Sequence, residues 1–160
     1  MGDVAMTVPV VYSLAHQYSD LRISVLSRPF AKAFFSYMPK NVDFIAADLK
    51  NEYKGIKGLN QLYGRLKVKQ PTAIADFRDV LRSKYIRTRF TLCGYKTAHI
   101  DKHKNGKRKL CRQKDKVMEQ QPTSFQNYAE VLSKLGYPID LSFTSLFANG
   151  GNQLSQLPNI

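Results

Sequence analysis

Residues 21–37 read LRISVLSRPFAKAFFSY, and this stretch holds the structural unit that recurs along the chain. The run Leu21–Ser27 concentrates Leu, Ile and Val within a few positions, which favours a buried strand. Pro29 then opens a short aromatic helix over Phe30–Tyr37, because proline is well tolerated in a first helical turn. The stretch therefore predicts a strand followed directly by a helix.

The same alternation continues toward the C-terminus. Strands that alternate with helices at this spacing are typical of βαβ units, a mostly parallel sheet and right-handed crossovers, so the predicted fold class is α/β. The further predicted strands are Val42–Ala46, Thr72–Phe77 and Thr97–Ile100, and the further predicted helices are a Lys-rich segment with apolar positions from Tyr53 to Leu66, and Val80–Leu92.

Two more helices are predicted at the ends of this series. Apolar residues recur at three- and four-residue steps over Val4–Tyr18, which predicts one helix with Pro9 near its first turns. Ser124–Leu135 has an apolar face, with Thr123 or Ser124 as N-cap and a stop at Gly136 and Pro138. Such a sheet normally begins with a hydrophobic strand, whereas this chain starts in the following loop, so we expect the first strand to be missing.

Length and composition predict one domain. The chain has 160 residues, 43% hydrophobic and 23% charged, and domains commonly hold roughly 100–200 residues. We place a domain at residues 1–140 and a linker or truncated end at 141–160, where Asn, Gly, Gln and Ser dominate. The charge is +13, from 25 Lys and Arg against 12 Asp and Glu, which favours an anionic partner or surface.

The sequence gives little sign of disulfides, metal sites or membrane insertion. Cys93 and Cys111 stand outside any CxxC pair, which favours free thiols in the cytosol. Residues 1–15 contain Asp3, lack a basic region and are shorter than the ~20 residues that a span requires, so neither a signal peptide nor a transmembrane helix is expected. We find no Asp-x-Asp pair or His cluster for a metal, and no catalytic role for His16, His99 or His103.

The first candidate site is Gly2-Asp3 at the mouth of the first helix. Glycine permits a tight turn, and the unpaired N–H groups of a helix start stabilise an acidic residue. Asp3 as a simple helix cap remains an alternative. Asp76, at a strand end, is either a ligand at the carboxyl edge of the sheet or a cap of the next turn, and we favour the cap.

The second candidate is the run Lys102–Lys116, in which eight of fifteen residues are Lys or Arg. It is either a solvated loop or a clamp for an anionic ligand, since Arg and Lys suit phosphate and carboxylate groups. A nucleic-acid-binding module would use the same charges, but the run contains no aromatic residue for base stacking. A basic module that binds an anionic membrane without catalysis is a further alternative.

Several segments, in order, resemble the ADP-heptose:lipopolysaccharide heptosyltransferase family, glycosyltransferase family 9. Gly2-Asp3 with Thr7-x-Pro9 and an apolar helix looks like its signature, and the resemblance covers roughly residues 2–146. The other matching segments are Leu21–Pro29, Thr72–Arg82 and the Ser-Phe-x-x-Tyr-Ala…Leu-Gly-Tyr-Pro run Ser124–Pro138. The resemblance implies the N-terminal, acceptor-side half of a GT-B enzyme, with a Rossmann-like parallel sheet, flanking helices and a donor-binding half outside this chain.

The resemblance also implies an activity and a set of site residues. Heptose or a related sugar would pass, with inversion and without a metal or other cofactor, from ADP-heptose to a lipopolysaccharide core acceptor in the cytoplasm at the inner membrane face. Asp3 would be the general base, in a loop with Gly2 and Thr7. The matching acceptor contacts are Lys107, Arg108, Arg82, Lys54 and Lys57, although the last three also fit ordinary surface charges; no nucleic acid is expected as a partner.

Overall fold

The computed structural model describes residues 2–49, 51–101 and 123–141. Helices and parallel strands alternate in it, so the predicted α/β class is confirmed. Most of the proposed 141–160 segment and all of residues 102–122 lie outside the described residues. In chain order the elements are α1 Gly2–Ala5, α2 Thr7–Gln17, β1 Ile23–Ser27, a 3-10 helix Pro29–Phe35, β2 Val42–Ala46, α3 Gly55–Val68, β3 Ala73–Asp76, α4 Leu81–Leu92, β4 Lys96–His99 and α5 Ser124–Lys134.

Within the described part of the chain, four strands form two parallel pairs rather than the single sheet expected from the alternation. β1 pairs with β2, from Ile23 opposite Val42 to Ser27 opposite Ala46. β3 pairs with β4, from Ala73 opposite Lys96 to Asp76 opposite His99. Among the described residues no ladder joins β1 to β3. The helical crossovers explain the parallel pairing, since each returns the chain to the same end of the sheet.

Helices cover both faces of the strand pairs. Ala73 packs against the cluster formed by α2, β4 and α5, whereas Ile74 packs against the cluster formed by α3 and α4. Neighbouring residues of a strand point to opposite faces, so α2 and α5 lie on one face and α3 and α4 on the other. Helix α2 also packs on the 3-10 helix, β1 and β2 through Val8 and Val11. It therefore spans both strand pairs.

The N-terminal helix is interrupted, so the prediction of one continuous helix over Val4–Tyr18 is wrong. α1 ends at Ala5 and α2 begins at Thr7. Pro9 is the third residue of α2 and has no N–H with which to bond the carbonyl of Ala5, which lies four residues earlier. The Thr7 hydroxyl donates to the carbonyl of Val4 at 2.7 Å within the same turn.

Local signals define α5 well. Thr123 is the N-cap, its Oγ1 accepting from the N–H of Gln126 at 3.3 Å while Oε1 of Gln126 accepts from the N–H of Thr123 at 2.8 Å, which is a capping box. Gly136, at φ +96°, ends the helix in a left-handed conformation. The residues that follow lie along α2: Gln17 exchanges two hydrogen bonds with the backbone of Asp140, at 2.9 and 3.0 Å.

Asn41 fixes the same, C-terminal end of α2. Its side-chain amide donates to the carbonyls of Ala15 and Leu21, each at 3.1 Å, and lies 3.4 Å from that of Tyr18. These bonds satisfy carbonyls that a helix end leaves without partners. The end of α2 is thereby held beside the start of β2. None of the described helices is long and apolar enough to cross a membrane.

Candidate functional site

The carboxyl ends of both strand pairs share one edge of the molecule. Asn41 holds the C-terminal end of α2 at the start of β2, while Asp3, just ahead of α2, contacts Arg78, which follows the end of β3. α2 therefore runs antiparallel to both pairs, and the two pairs point the same way. Ligands of parallel α/β folds bind outside the carboxyl ends of the strands, so we take this edge, the carboxyl edge, as the candidate site.

Asp3 presents an accessible carboxylate at the carboxyl edge. Its Oδ2 lies 3.6 Å from Nη2 of Arg78, and the side chains of Asp3 and Arg78 are 67% and 47% exposed. An ion pair this exposed contributes little stability. Both groups therefore remain available to a ligand. Arg78 was not among the predicted site residues, because no local pattern indicates that it lies beside Asp3.

Tyr128 of α5 lies beneath this pair. The residue is 4% exposed, and its ring centroid is 4.9 Å from that of Phe77. Burial raises the pKa of the Tyr128 phenol, the negative charge of Asp3 raises it further, and the positive charge of Arg78 acts in the opposite direction. The Asp3 carboxylate thus lies within electrostatic reach of α5 as well as of the β3–α4 loop.

The β3–α4 loop that carries Arg78 is rigidly capped. Oδ1 of Asp76 accepts from the backbone N–H groups of Arg78 at 3.0 Å and Asp79 at 2.9 Å. Asp79 has φ +44°, a conformation that aspartate tolerates better than most residues. The interpretation of Asp76 as a turn cap is confirmed, and this cap fixes the backbone from which Arg78 reaches Asp3.

Arg87 of α4 also stabilises this loop, through ion pairs on its buried side. Its Nη1 lies 3.1 Å from Oδ2 of Asp76 and 3.0 Å from Oδ1 of Asp79, and Nζ of Lys84 lies 3.3 Å from Oδ2 of Asp79. Burial raises the pKa of Asp79, but the hydrogen bonds and charges of Arg87 and Lys84 outweigh it and lower that pKa overall. Arg87 was not among the predicted site residues, because nothing local in the sequence marks which basic residue of α4 points back to the loop.

The other predicted contact residues are distributed along the edge. Lys54 immediately precedes α3, Lys57 lies in its first turn, and Arg82 lies in the first turn of α4. Because α3 and α4 follow the carboxyl ends of β2 and β3, all three belong to the carboxyl edge. All are exposed, and no ion pair joins them to a described residue.

The remaining predicted residues divide into two groups. Gly2 is exposed, and a Cβ added there would meet nothing within 4 Å; Thr7 uses its hydroxyl within the α1–α2 turn. Lys107 and Arg108 lie outside the described residues. Within residues 2–49, 51–101 and 123–141, no group of three His, Cys, Asp or Glu side chains could hold a metal ion.

No family model, curated protein sequence or solved structure matches this chain. The carboxyl edge offers the exposed Asp3 carboxylate beside Arg78, which lies on a capped loop. It also offers exposed cations at the starts of α3 and α4 that form no ion pair with a described residue.

Proposed function

We propose that this chain is the Rossmann-like, acceptor-binding half of an inverting heptosyltransferase that transfers heptose, or a related sugar, from ADP-heptose to a lipopolysaccharide core acceptor. The observation that carries the proposal is the exposed carboxylate of Asp3 at the carboxyl edge, in the motif that resembles the family's signature. The cations along the same edge suit an acceptor that bears phosphate and carboxylate groups.

In this proposal Asp3 is the general base. A carboxylate oxygen accepts the proton of the acceptor hydroxyl while that oxygen forms a bond to the anomeric carbon. The bond between the anomeric carbon and the phosphate oxygen breaks, and ADP leaves with the electron pair from the face opposite the attack, which inverts the configuration. Arg78 orients the Asp3 carboxylate, and the cap made by Asp76 holds Arg78 in place.

Acceptor binding is assigned to the cations of the edge. Lys54, Lys57 and Arg82 are exposed and carry charges that no described carboxylate neutralises, so an anionic acceptor would not have to displace an existing ion pair. The family resemblance adds Lys107 and Arg108. The net charge of +13 would also favour contact with an anionic membrane surface, where a lipid-linked acceptor is held.

The catalytic part of the proposal is tested by transfer of radiolabelled heptose from ADP-heptose to purified lipid A core acceptor. Donor and acceptor must be held in one geometry, so the assay uses the 160 residues alone, for which we expect little or no turnover, and a longer reading frame that supplies a donor-binding domain. In the longer protein Asp3→Asn should lower kcat by roughly 10²- to 10⁴-fold. Efficient transfer by the 160 residues alone would contradict the assignment of the donor site to a second domain.

Asp20→Asn is the matched control for the transfer assay. Asp20 is an exposed aspartate between α2 and β1, at the opposite, amino edge of the strands, so its substitution should leave transfer unchanged. Equal activity of Asp3→Asn and Asp20→Asn would refute Asp3 as the base. Absence of transfer with any nucleotide sugar would refute the proposed reaction.

The binding part can be tested on the 160 residues themselves. Calorimetry with the water-soluble, phosphorylated core oligosaccharide should show weaker binding after removal of the three carboxyl-edge cations than after removal of three exposed lysines at the amino edge. The two triple variants are Lys54→Gln, Lys57→Gln, Arg82→Gln and, as control, Lys40→Gln, Lys67→Gln, Lys96→Gln. Equal weakening by both, or tighter binding of single-stranded RNA than of the oligosaccharide, would favour a general anion-binding module instead.

A further inference from the structure

Three described tyrosines are almost fully buried, and their hydroxyl groups differ in how they are bonded. Tyr53, Tyr63 and Tyr128 are 3%, 7% and 4% exposed. The Tyr53 hydroxyl accepts from Nη1 of Arg65 at 2.9 Å, and the Tyr63 hydroxyl lies 3.1 Å from Sγ of Cys93, with which it bonds. The Tyr128 hydroxyl bonds to no group in the part of the chain that the structure describes. Because a buried tyrosine hydroxyl usually has a partner, this one requires an explanation.

Solvent reaches the hydroxyl oxygen of Tyr128. Within residues 2–49, 51–101 and 123–141, no fully buried side-chain oxygen or nitrogen lacks a hydrogen-bond partner. The Tyr128 oxygen has no such partner, so it is not fully buried, although the residue as a whole is only 4% exposed. The small exposed part of Tyr128 therefore includes the hydroxyl group at the tip of its ring.

The direction of α5 places Tyr128 toward the carboxyl edge. The residues that follow α5 lie at the amino edge, where Pro138 and Asp140 bond to the C-terminal end of α2. α5 therefore starts at the other end of the molecule, and Tyr128 lies in its second turn.

The segments that carry Asp3 and Arg78 both lie against the surroundings of Tyr128. Phe77 directly precedes Arg78, and its ring centroid is 4.9 Å from that of Tyr128. Met6, three residues after Asp3, packs against the same apolar cluster as Tyr128. Burial has the largest effect on the pKa of the Tyr128 phenol, and the charges of Asp3 and Arg78 also act on it. The hydroxyl end of the ring is therefore directed toward the ion pair.

The carboxylate and the phenol together match the hydrogen bonds of a sugar diol. An ionised aspartate only accepts hydrogen bonds, whereas a phenol that burial and a nearby carboxylate keep protonated donates one. One hydroxyl group of a vicinal diol donates to Asp3, and the oxygen of the adjacent hydroxyl group accepts from Tyr128. A phosphate group in the same position would be repelled by the Asp3 carboxylate.

We propose that the Tyr128 hydroxyl is a ligand-binding group of the carboxyl edge, which donates a hydrogen bond to a sugar oxygen beside the hydroxyl group held by Asp3. The identity of the sugar rests on the proposed function, whereas the site rests on the position of Tyr128 and on its unbonded hydroxyl. Tyr128 is then a specificity-determining residue, because a sugar without an oxygen at this position would leave the buried phenol without a partner.

The test compares Tyr128→Phe, which removes only the hydroxyl oxygen, with Tyr18→Phe. Tyr18 donates to the carbonyl of Pro138 at 2.8 Å at the amino edge, so its substitution should lower the melting temperature by about 2–4 °C and leave ligand binding unchanged. Tyr128→Phe removes no bond between described residues, so its melting temperature should change by less than about 1 °C. It should nevertheless weaken binding of the phosphorylated core oligosaccharide, measured by calorimetry, about 3- to 10-fold.

A second measurement locates the hydroxyl without any ligand. Isotope labelling of the tyrosine Cζ atoms allows each phenol to be titrated by NMR, and the spectrum of Tyr128→Phe assigns the Tyr128 signal. Because Asp3 raises the pKa of this phenol and Arg78 lowers it, Asp3→Asn should lower the Tyr128 pKa and Arg78→Gln should raise it.

Four results would overturn the inference. The first is equal binding of the oligosaccharide, or no binding, by the wild type and Tyr128→Phe. The second is a melting temperature of Tyr128→Phe as low as that of Tyr18→Phe, which would mean that the hydroxyl has a structural partner. The third is a Tyr128 pKa that Asp3→Asn leaves unchanged. The fourth is binding of inorganic phosphate that Tyr128→Phe weakens by the same factor, which would assign the hydroxyl to an anion.

Failure of this inference is distinguishable from failure of the proposed function. Heptose transfer that depends on Asp3, together with equal oligosaccharide binding by the wild type and Tyr128→Phe, would retain the transferase and exclude the Tyr128 site. Oligosaccharide binding that depends on Tyr128, without transfer from any nucleotide sugar, would retain the site and exclude the reaction.

Discussion

Replacement of Arg87 by methionine should strongly lower the free energy of unfolding. The Arg87 side chain is largely buried, and its partners among the described residues are Asp76 and Asp79, not Asp3. Arg87 makes two charged hydrogen bonds, to Asp76 and Asp79, and its side chain is 14% exposed. Methionine keeps the aliphatic length and the helix propensity of the position, so the change isolates the guanidinium group.

The size of the loss in unfolding free energy depends on whether each carboxylate can replace its lost hydrogen bond after the substitution. Asp76 has a side chain only 5% exposed, so water cannot replace the lost bond, and we assign it about 2 kcal/mol. Asp79 is 15% exposed and keeps Lys84, so we assign it about 1 kcal/mol. The expected loss in the free energy of unfolding is therefore about 3 kcal/mol, within the range for breaking a buried pair.

The assay is urea unfolding followed by circular dichroism at neutral pH, with Lys84→Met as the control. Lys84 lies on the same helix and pairs with the same aspartate, but it is 48% exposed, so its loss should cost about 0.5 kcal/mol or less. A loss below about 1 kcal/mol for Arg87→Met, or equal losses for both variants, would contradict the view that burial decides the strength of these pairs.

The pH dependence supplies a second check on the same variant. The folded-state pKa of Asp79 is lowered from its ordinary value of 3.8, so its contribution to stability is present above that value and is lost as the pH falls through the folded pKa. The difference in unfolding free energy between the wild type and Arg87→Met should therefore shrink below about pH 4. A difference that stays constant down to pH 2.5 would show that Asp79 is not part of the effect.

Two further predictions concern packing and helix ends. Gly58→Ala should lower the free energy of unfolding by at least about 2 kcal/mol in the same assay, because the added Cβ would clash with the backbone of Tyr53. Gly64→Ala on the same helix meets open space and should stabilise the fold by about 0.5–1 kcal/mol. The reverse order of stabilities would refute the packing argument. Asn41→Ala should lower the free energy of unfolding by about 1–3 kcal/mol, because it leaves carbonyls at the end of α2 without their donor. A melting temperature unchanged from that of the wild type would show that water replaces the amide.

Short-range sequence signals were sufficient to predict the boundaries of some strands and helices. The predicted strand Val42–Ala46 agrees with β2 at both ends, and Thr123, one of the two predicted N-caps, directly precedes α5. A short apolar run and an N-cap each act over only a few positions. The break after Ala5 was missed, since the Val4–Tyr18 pattern keeps its helical period across Pro9. The division of the strands into two pairs was also missed, because strand order depends on contacts distant in sequence.

The sequence indicated some of the residues of the candidate site, but not how they contact one another. Gly2-Asp3 and Asp76 could be singled out from glycine, acid and strand-end positions. The contact between Asp3 and Arg78 joins residues 75 positions apart, and the choice of Arg87 among the basic residues of α4 depends on which side of that helix faces the loop. Such contacts follow from tertiary packing, which periodicity does not encode.

The hydrogen bonds that tie residues 137–141 to α2 determine where attached groups can be placed. Gln17 and Tyr18, at the C-terminal end of α2, hold the backbone of Asp140 and Pro138, so the chain passes residue 141 at the amino edge, a full strand length away from Asp3. A fluorophore or affinity anchor introduced at Leu141 would therefore leave the carboxyl edge open to solvent. Such a protein could be immobilised with its candidate site directed outward, which suits surface-based measurements of acceptor binding.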